Sequence, residues 1–387
     1  MTPAADEFIM FHRPSLGDAE EQAVLAVLRS GWLTTGARTK ALEERFAEYR
    51  GCARAVGTNS CTAALHLALV ALGVGAGDEV ITSPITFAST ANVIVHTGAT
   101  PVFCEVQPDT LNMDLESVAA AITPRTRAII AVHFAGHPCD MDEIVDCAEG
   151  HGLAVIEDAA HAVEAEYRGR PTGSLGVAAA FSFYATKNIT SGEGGMLTTN
   201  DDALAEEVAV LALHGISRDA WKRYSDEGYR HWDIVAPGFK YNMFDLQAAL
   251  VDAQMDRIDE FWRRRRSLTE MYDEALAEMH GLEPLRRRDY VRAAHHLYVV
   301  QVTPDAGISR DEFIDALQGQ GVGVGVHFRP VHLHPYYRET FGYRPGMLPV
   351  AEAAGDAVVS LPLYPSLQDS QLQRVIQACK AAVRQAS

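Results

Sequence analysis

Lys187 lies in the run AAFSFYATKNITSGEGGM, between an apolar stretch and a cluster of glycines. A lysine at the end of a buried strand is desolvated, and burial disfavours its ammonium form. The neutral amine that results is what Schiff-base chemistry requires. Ser182, Thr186, Asn188 and Thr190 surround it with polar side chains, and Gly192, Gly194 and Gly195 let the backbone turn tightly beside a ligand. Upstream, LAVIEDAAH leads from four apolar residues into Glu157 and Asp158. A carboxylate at the carboxyl end of a buried strand needs a partner to offset its desolvation. Between Asp158 and Lys187 there is room for a connecting segment and one further strand. A lysine and a carboxylate on strand ends of one sheet fit pyridoxal phosphate. The amine bonds the aldehyde, and the carboxylate keeps the ring nitrogen protonated.

Two further runs extend this reading. Gly57–Leu65, GTNSCTAAL, places small polar residues between a strand and a helix, where free backbone amides bind phosphate. Phe87, in SPITFAST, follows another strand end and could stack on a flat ring. Each feature also has a plainer reading. Lys187 could be a surface lysine on a turn, Asp158 a helix cap and Phe87 a core residue. Their conjunction in one chain favours the cofactor reading. Other clusters resolve to plain roles. His327, His332 and His334 have Arg329 among them and no carboxylate or thiol beside them, so no metal site is expected. The basic run Arg263–Arg266 reads as the solvated face of a helix.

The elements that must position these groups follow from periodicity. Ala53–Val56, Glu79–Thr82, Pro101–Val106, Arg127–Val132, Leu153–Ile156, Ala179–Phe183 and Gly195–Thr199 are short, apolar and bounded by turn residues. They read as buried strands. Helices fit between them, as over Thr62–Leu72 and Met141–Glu149. This alternation predicts a mostly parallel sheet covered on both faces, with functional groups at the carboxyl ends of its strands. The polar, aromatic stretch from His214 to Lys240 reads as a long ordered loop. A long helix is expected from about Phe244 to Met279. It leads into a second α+β domain with a strand near Leu297–Val302, a helix at Arg310–Gln320 capped by Ser309, and a strand near Val322–His327. The expected division is 1–250 and 251–387.

The 387 residues are 48% hydrophobic and 22% charged, a globular composition. Asp+Glu number 51 against Lys+Arg 33, a formal charge of −18. Such a surface repels phosphate backbones, so nucleic acid and anionic membranes are poor partners. A local cluster of donors can still hold a small anion. The six cysteines show no C-x-x-C spacing and read as reduced thiols. No apolar run reaches membrane-spanning length, and the first residues have no secretory signature. A cytoplasmic protein is expected.

Taken together, these motifs resemble the DegT/DnrJ/StrS family of sugar aminotransferases, which are fold-type I pyridoxal-phosphate enzymes. The similarity runs from RSGWLTTG at Arg29–Gly36 through GTNSCTAALHLAL, GDEVITSPITFAST, VIEDAAHAV, FSFYATKNITSGEGG, PGFKYNMFDLQAAL and VHFRPVHLHPYYRETFG to SLPLYPSL near residue 360. It implies a large domain with a mostly parallel seven-stranded sheet and a smaller C-terminal α+β domain. Lys187 then matches the cofactor-bonding lysine and proton shuttle, and Asp158 the partner of the pyridine nitrogen. Phe87 matches the stacking aromatic, and His161 a position beside the cofactor. Cys61, Thr62 and Ser182 match the phosphate site. Cys61 departs from the usual Gly or Ala, but its role there is a backbone amide. Asn242 matches an asparagine that reaches the phosphate of a neighbouring subunit, which implies a homodimer with shared sites. Thr34, Arg218, His327 and Arg329 are the substrate contacts the resemblance suggests.

The pattern is nearest to enzymes that aminate C4 of UDP-linked 4-keto sugars, with glutamate as donor. Amination at C3, a cyclitol acceptor, a dehydratase or lyase on the same fold, and a regulatory protein remain as alternatives. Lys187 favours transamination, because some relatives that dehydrate carry histidine there.

Overall fold

The computed structural model describes residues 8–217 and 232–384. Seven strands form the main sheet: β1 (Arg54–Thr58), β2 (Glu79–Thr82), β3 (Thr100–Phe103), β4 (Thr126–Val132), β5 (Ala154–Asp158), β6 (Ala178–Ser182) and β7 (Gly195–Thr199). Their order is β1-β7-β6-β5-β4-β2-β3. The pairs from β6 to β3 are parallel, and β7 runs antiparallel to both its neighbours. The expected α/β architecture with a mostly parallel sheet is thus present. Both faces are covered, which is why the strands are nearly continuous apolar runs. Leu65, Leu69, Ile130, Ile156 and Leu197 pack on one side, and Phe46, Phe181, Phe183, Met196 and Met243 on the other.

Period-two alternation gives the two acids at the end of β5 different surroundings. Glu157 is fully buried beside His133, 3.0 Å away, and accepts the amides of Gly173, Leu175 and Gly176 at 2.9 Å each. Burial pushes its carboxyl up, but the His133 contact and the amides outweigh that and hold it below its usual range. Glu157 is therefore structural: it fixes the turn that leads into β6. Asp158 faces the other way, towards the site described below.

Three strands, β8 (Leu282–Pro284), β9 (Tyr298–Val302) and β10 (Val358–Leu361), form a small antiparallel sheet. The helices Arg310–Gly319 and Asp369–Arg384 pack near it. Ser309 caps the first of these, accepting the Glu312 amide while Glu312 reaches back to Ser309. Ile9 joins this core beside Phe313 and Leu317, so residues near the start of the chain lie against its C-terminal part.

Three sequence expectations change. The single long helix is two, Asp245–Met255 and Ile258–Leu276. Arg257 leaves helical geometry (φ −113°, ψ 8°), and its guanidinium reaches the buried Glu20 at 2.6 Å. The Val322–His327 strand is an extended segment with one bridge to Ile9 and one to Ser360, and so forms no ladder. The basic run is not wholly solvated. Arg265 turns inward, 1% exposed, and donates to the Leu363 carbonyl at 2.9 Å. Among the described residues, no helix is long and apolar enough to cross a membrane.

Candidate active site

The carboxyl ends of the parallel strands open on a cavity of about 650 Å³. Both parts of the chain line it. Cys61, Thr62, Phe87, Asp158, His161, Ser182 and Lys187 come from the main sheet, and His296, His327 and Phe328 from the C-terminal part. The cofactor-site residues expected from the sequence therefore meet in one place, Asn242 excepted.

Lys187 follows β6 in a loop held shut at its base. Phe183 donates to the Gly194 carbonyl, and Ser191 donates to that of Phe183, each at 2.9 Å. Gln254 and Gln247 pin the loop to the helix Asp245–Met255 through Thr190 and the Glu193 carbonyl. Desolvation lowers the Lys187 pKa to about 8, while Cys61 and Asp158 oppose the shift. Asp158 is 5% exposed. It accepts Thr90 Oγ1 at 2.7 Å and the Ala160 amide at 3.2 Å, and Thr90 is 2.8 Å from Thr86. Burial raises its pKa despite these bonds and the charge of Lys187. Asp158 thus lacks a cation strong enough to hold it in its usual range.

The helix Cys61–Ala71 begins with Ser60 accepting the Ala63 amide at 3.1 Å. The Cys61 and Thr62 amides meet no protein acceptor among the described residues. Gly195 passes so close that a Cβ there would lie 2.3 Å from the Ser60 carbonyl carbon and 2.5 Å from Cys61 N. Only glycine allows that approach. Ser182, opposite Gly195 in the ladder, ends β6 at the cavity. The His161 ring lies 4.4 Å from His296 and 6.2 Å from Phe328, centre to centre, and its buried Nδ1 has no partner among the described residues. Burial, then Lys187 and His327, hold it well below the usual histidine range. Phe87 is 66% exposed at the cavity wall.

The suggested substrate contacts do not all gather here. His327 lines the cavity and bonds Ser360 at 2.9 Å; burial lowers its pKa to about 4. Arg329 is exposed and does not line it. His332 turns away to Glu352 at 3.0 Å. Thr34 and Asn242 line a second hollow with Leu33, Asn59, Lys240 and Phe244. Arg218 lies outside the described residues, as does the rest of 218–231, on which most of the expected His214–Lys240 loop falls. Sequence reasoning missed Thr90, His12, His296 and Phe328. Of these, Thr90 carried a faint signal, since it closes the SPITFAST run.

Comparison with known proteins shows the family. Residues 14–380 match the profile of the DegT/DnrJ/EryC1/StrS aminotransferases. The chain belongs to that family. It is 49% identical over 386 residues to the spore coat polysaccharide biosynthesis protein SpsC of Bacillus subtilis, covering 99% of both chains. The PLP form of Spr1654 from Streptococcus pneumoniae is similar at 34% identity and a TM-score of 0.91, over 98% of this chain and 100% of that one. Helicobacter pylori PseC, an aminotransferase involved in pseudoaminic acid biosynthesis, is similar at 27% identity and a TM-score of 0.91, over 98% and 100%. This family of sugar aminotransferases uses pyridoxal phosphate. The geometry fits that cofactor: a buried acid in want of a cation, free amides at a helix start, a glycine-lined approach and an amine between them.

The Lys187 amine is an ammonium below about pH 8 and a nucleophile above it. The rate at which apoprotein bonds added pyridoxal phosphate should therefore rise with pH and level off above about 8. Absorbance during reconstitution checks this; a rate that does not change across that pH contradicts it.

Proposed function

We propose that the enzyme moves an amino group from glutamate to C4 of a nucleotide-linked, most specifically UDP-linked, 4-keto sugar. The observation that carries the reading is the shared cavity, where Lys187 and Asp158 face a space closed from the other side by His296, His327 and Phe328. Bound pyridoxal phosphate would supply an electron sink for the carbon beside the transferred nitrogen. Asp158 would hold its carboxylate against the ring nitrogen, aimed by Thr90 and Ala160. The amides of Cys61 and Thr62, with the Ser182 hydroxyl, would hold the phosphate. Phe87 and His161 would bound the ring. Lys187 Nζ, neutral once released, takes the proton from the donor carbon and returns one to the acceptor carbon. A positioned base of this kind contributes roughly 10²–10⁴-fold. His327, which lines the same cavity, would contact the acceptor.

Site sharing is part of the proposal. Among the described residues, the hollow lined by Asn242 shares none with the Lys187 cavity. Asn242 Nδ2 bonds Thr35 at 2.6 Å, while its buried Oδ1 has no partner among the described residues. Trp32, Leu33 and Phe244 nearby are exposed apolar side chains. A second copy seated there would cover them and bring Asn242, with Thr34, to its own cofactor site.

Two outcomes are expected. Incubated with glutamate and a panel of keto sugars, the enzyme should release 2-oxoglutarate with UDP-4-keto sugars and place nitrogen at C4, read by NMR. Turnover confined to 3-keto sugars or to free ketones contradicts the substrate reading. Separately, mixing inactive Lys187→Ala and Asn242→Ala chains should restore activity, since half of the hybrid sites carry neither lesion. Hybrid dimers that form and stay inactive contradict sharing.

A further inference from the structure

Behind Lys187 runs a buried polar chain that the reaction as described does not use. Asn188 Nδ2 donates to Glu164 Oε2 at 2.7 Å and to the Ala294 carbonyl at 3.0 Å. Asn188 Oδ1 stands 2.9 Å from His296 Nδ1. Glu164, Asn188 and His296 are 0%, 7% and 5% exposed.

The chemistry of the partners orients the whole chain. A backbone carbonyl only accepts, so the Asn188 atom facing Ala294 must be its NH₂ group. The opposite atom is then the carbonyl oxygen, which also only accepts. The proton between Asn188 and His296 must therefore sit on His296 Nδ1. Glu164 does not alter this. Burial raises its pKa to about 7, with Arg265 opposing, but the Ala294 carbonyl orients Asn188 in either state of that acid. Burial, then the charges of His161, Lys187, Arg265 and His12, hold His296 well below the usual histidine range. A neutral ring protonated at Nδ1 carries a lone pair on Nε2. His296 lines the cavity, and with Nδ1 turned to Asn188 the ring nitrogen left for a ligand there is Nε2.

We propose that the chain Glu164–Asn188–His296 locks His296 with its proton on Nδ1, so that Nε2 accepts a hydrogen bond from a hydroxyl of the acceptor sugar. The contact rests on the sugar-amination reading; the tautomer does not. A fixed acceptor discriminates between the two substrates. The nitrogen of glutamate is the group being transferred, and its other polar groups are carboxylates with no proton to give, whereas a sugar presents hydroxyls. His296 would thus serve the acceptor half-reaction and leave the donor half-reaction little changed.

Two measurements test this. Histidine-labelled wild-type protein gives the ¹⁵N signals of His296, assigned by their loss in His296→Asn. A protonated Nδ1 and an unprotonated Nε2 at neutral pH are expected; the reverse tautomer, or an imidazolium, overturns the lock. The half-reactions are then followed separately by cofactor absorbance. His296→Asn keeps an amide N–H where Nδ1 stood but has no atom at Nε2. It should weaken acceptor use about tenfold, the size of one lost hydrogen bond, against at most about twofold for glutamate. His296→Gln, which can place an amide oxygen near Nε2, should recover part of the loss. Equal losses in both halves, or none in either, overturn the hydroxyl contact. A wild-type enzyme that aminates no keto sugar overturns the amination reading and the contact with it, while the tautomer result still judges the buried chain.

Discussion

A carboxylate and an amine enclosed together, each short of a full partner, set the terms for the rest of this structure. Asp158 is raised and Lys187 lowered by the same burial. Both shifts express a desolvation that the surrounding protein leaves partly uncompensated. Glu157 shows that the fold can satisfy an acid at this depth when it needs to, with His133 and three amides. One residue further along the same strand, Asp158 receives one hydroxyl and one amide. Consecutive strand residues face opposite sides, so one acid serves the scaffold and the other the cavity. A cationic ring nitrogen would supply what Asp158 lacks.

The remaining architecture brings other groups to that point. The parallel strands end together, so β5 and β6 deliver Asp158 and Ser182 to one edge. The glycine opposite Ser182 lets the start of the helix Cys61–Ala71 come within contact of β7. Closure comes from the C-terminal part, through His296, His327 and Phe328. Four histidines, His12, His161, His296 and His327, line the cavity, and burial lowers the pKa of each. Neutral imidazoles spare the Lys187 amine a ring of positive charge.

Much of this was legible in the sequence because it is local. An apolar run followed by Glu-Asp, or by a lysine and glycines, records a strand and what stands at its end. The strands Glu79–Thr82 and Gly195–Thr199 and the helix Met141–Glu149 have the bounds their periodicity suggested. Long-range pairings were not legible. Thr90 meets Asp158 across the sheet, and His296 meets Asn188 from another part of the chain. Arg265 looked like one of four surface charges until helical rotation turned it inward. At the break, Arg257 meets Glu20, far away in sequence. Apolar periodicity continues on both sides and gives no warning of it.

The most direct test of the account is Asp158→Asn. The substitution keeps the shape and the bond from Thr90 but removes the charge. The groups proposed to hold the phosphate, and Lys187, are untouched, so the variant should still bind pyridoxal phosphate. Both half-reactions should fall by at least about 10², because the ring nitrogen loses its counter-charge. Half-reaction rates within a few-fold of the wild type, with cofactor bound, would contradict the claim that this buried carboxylate drives the chemistry.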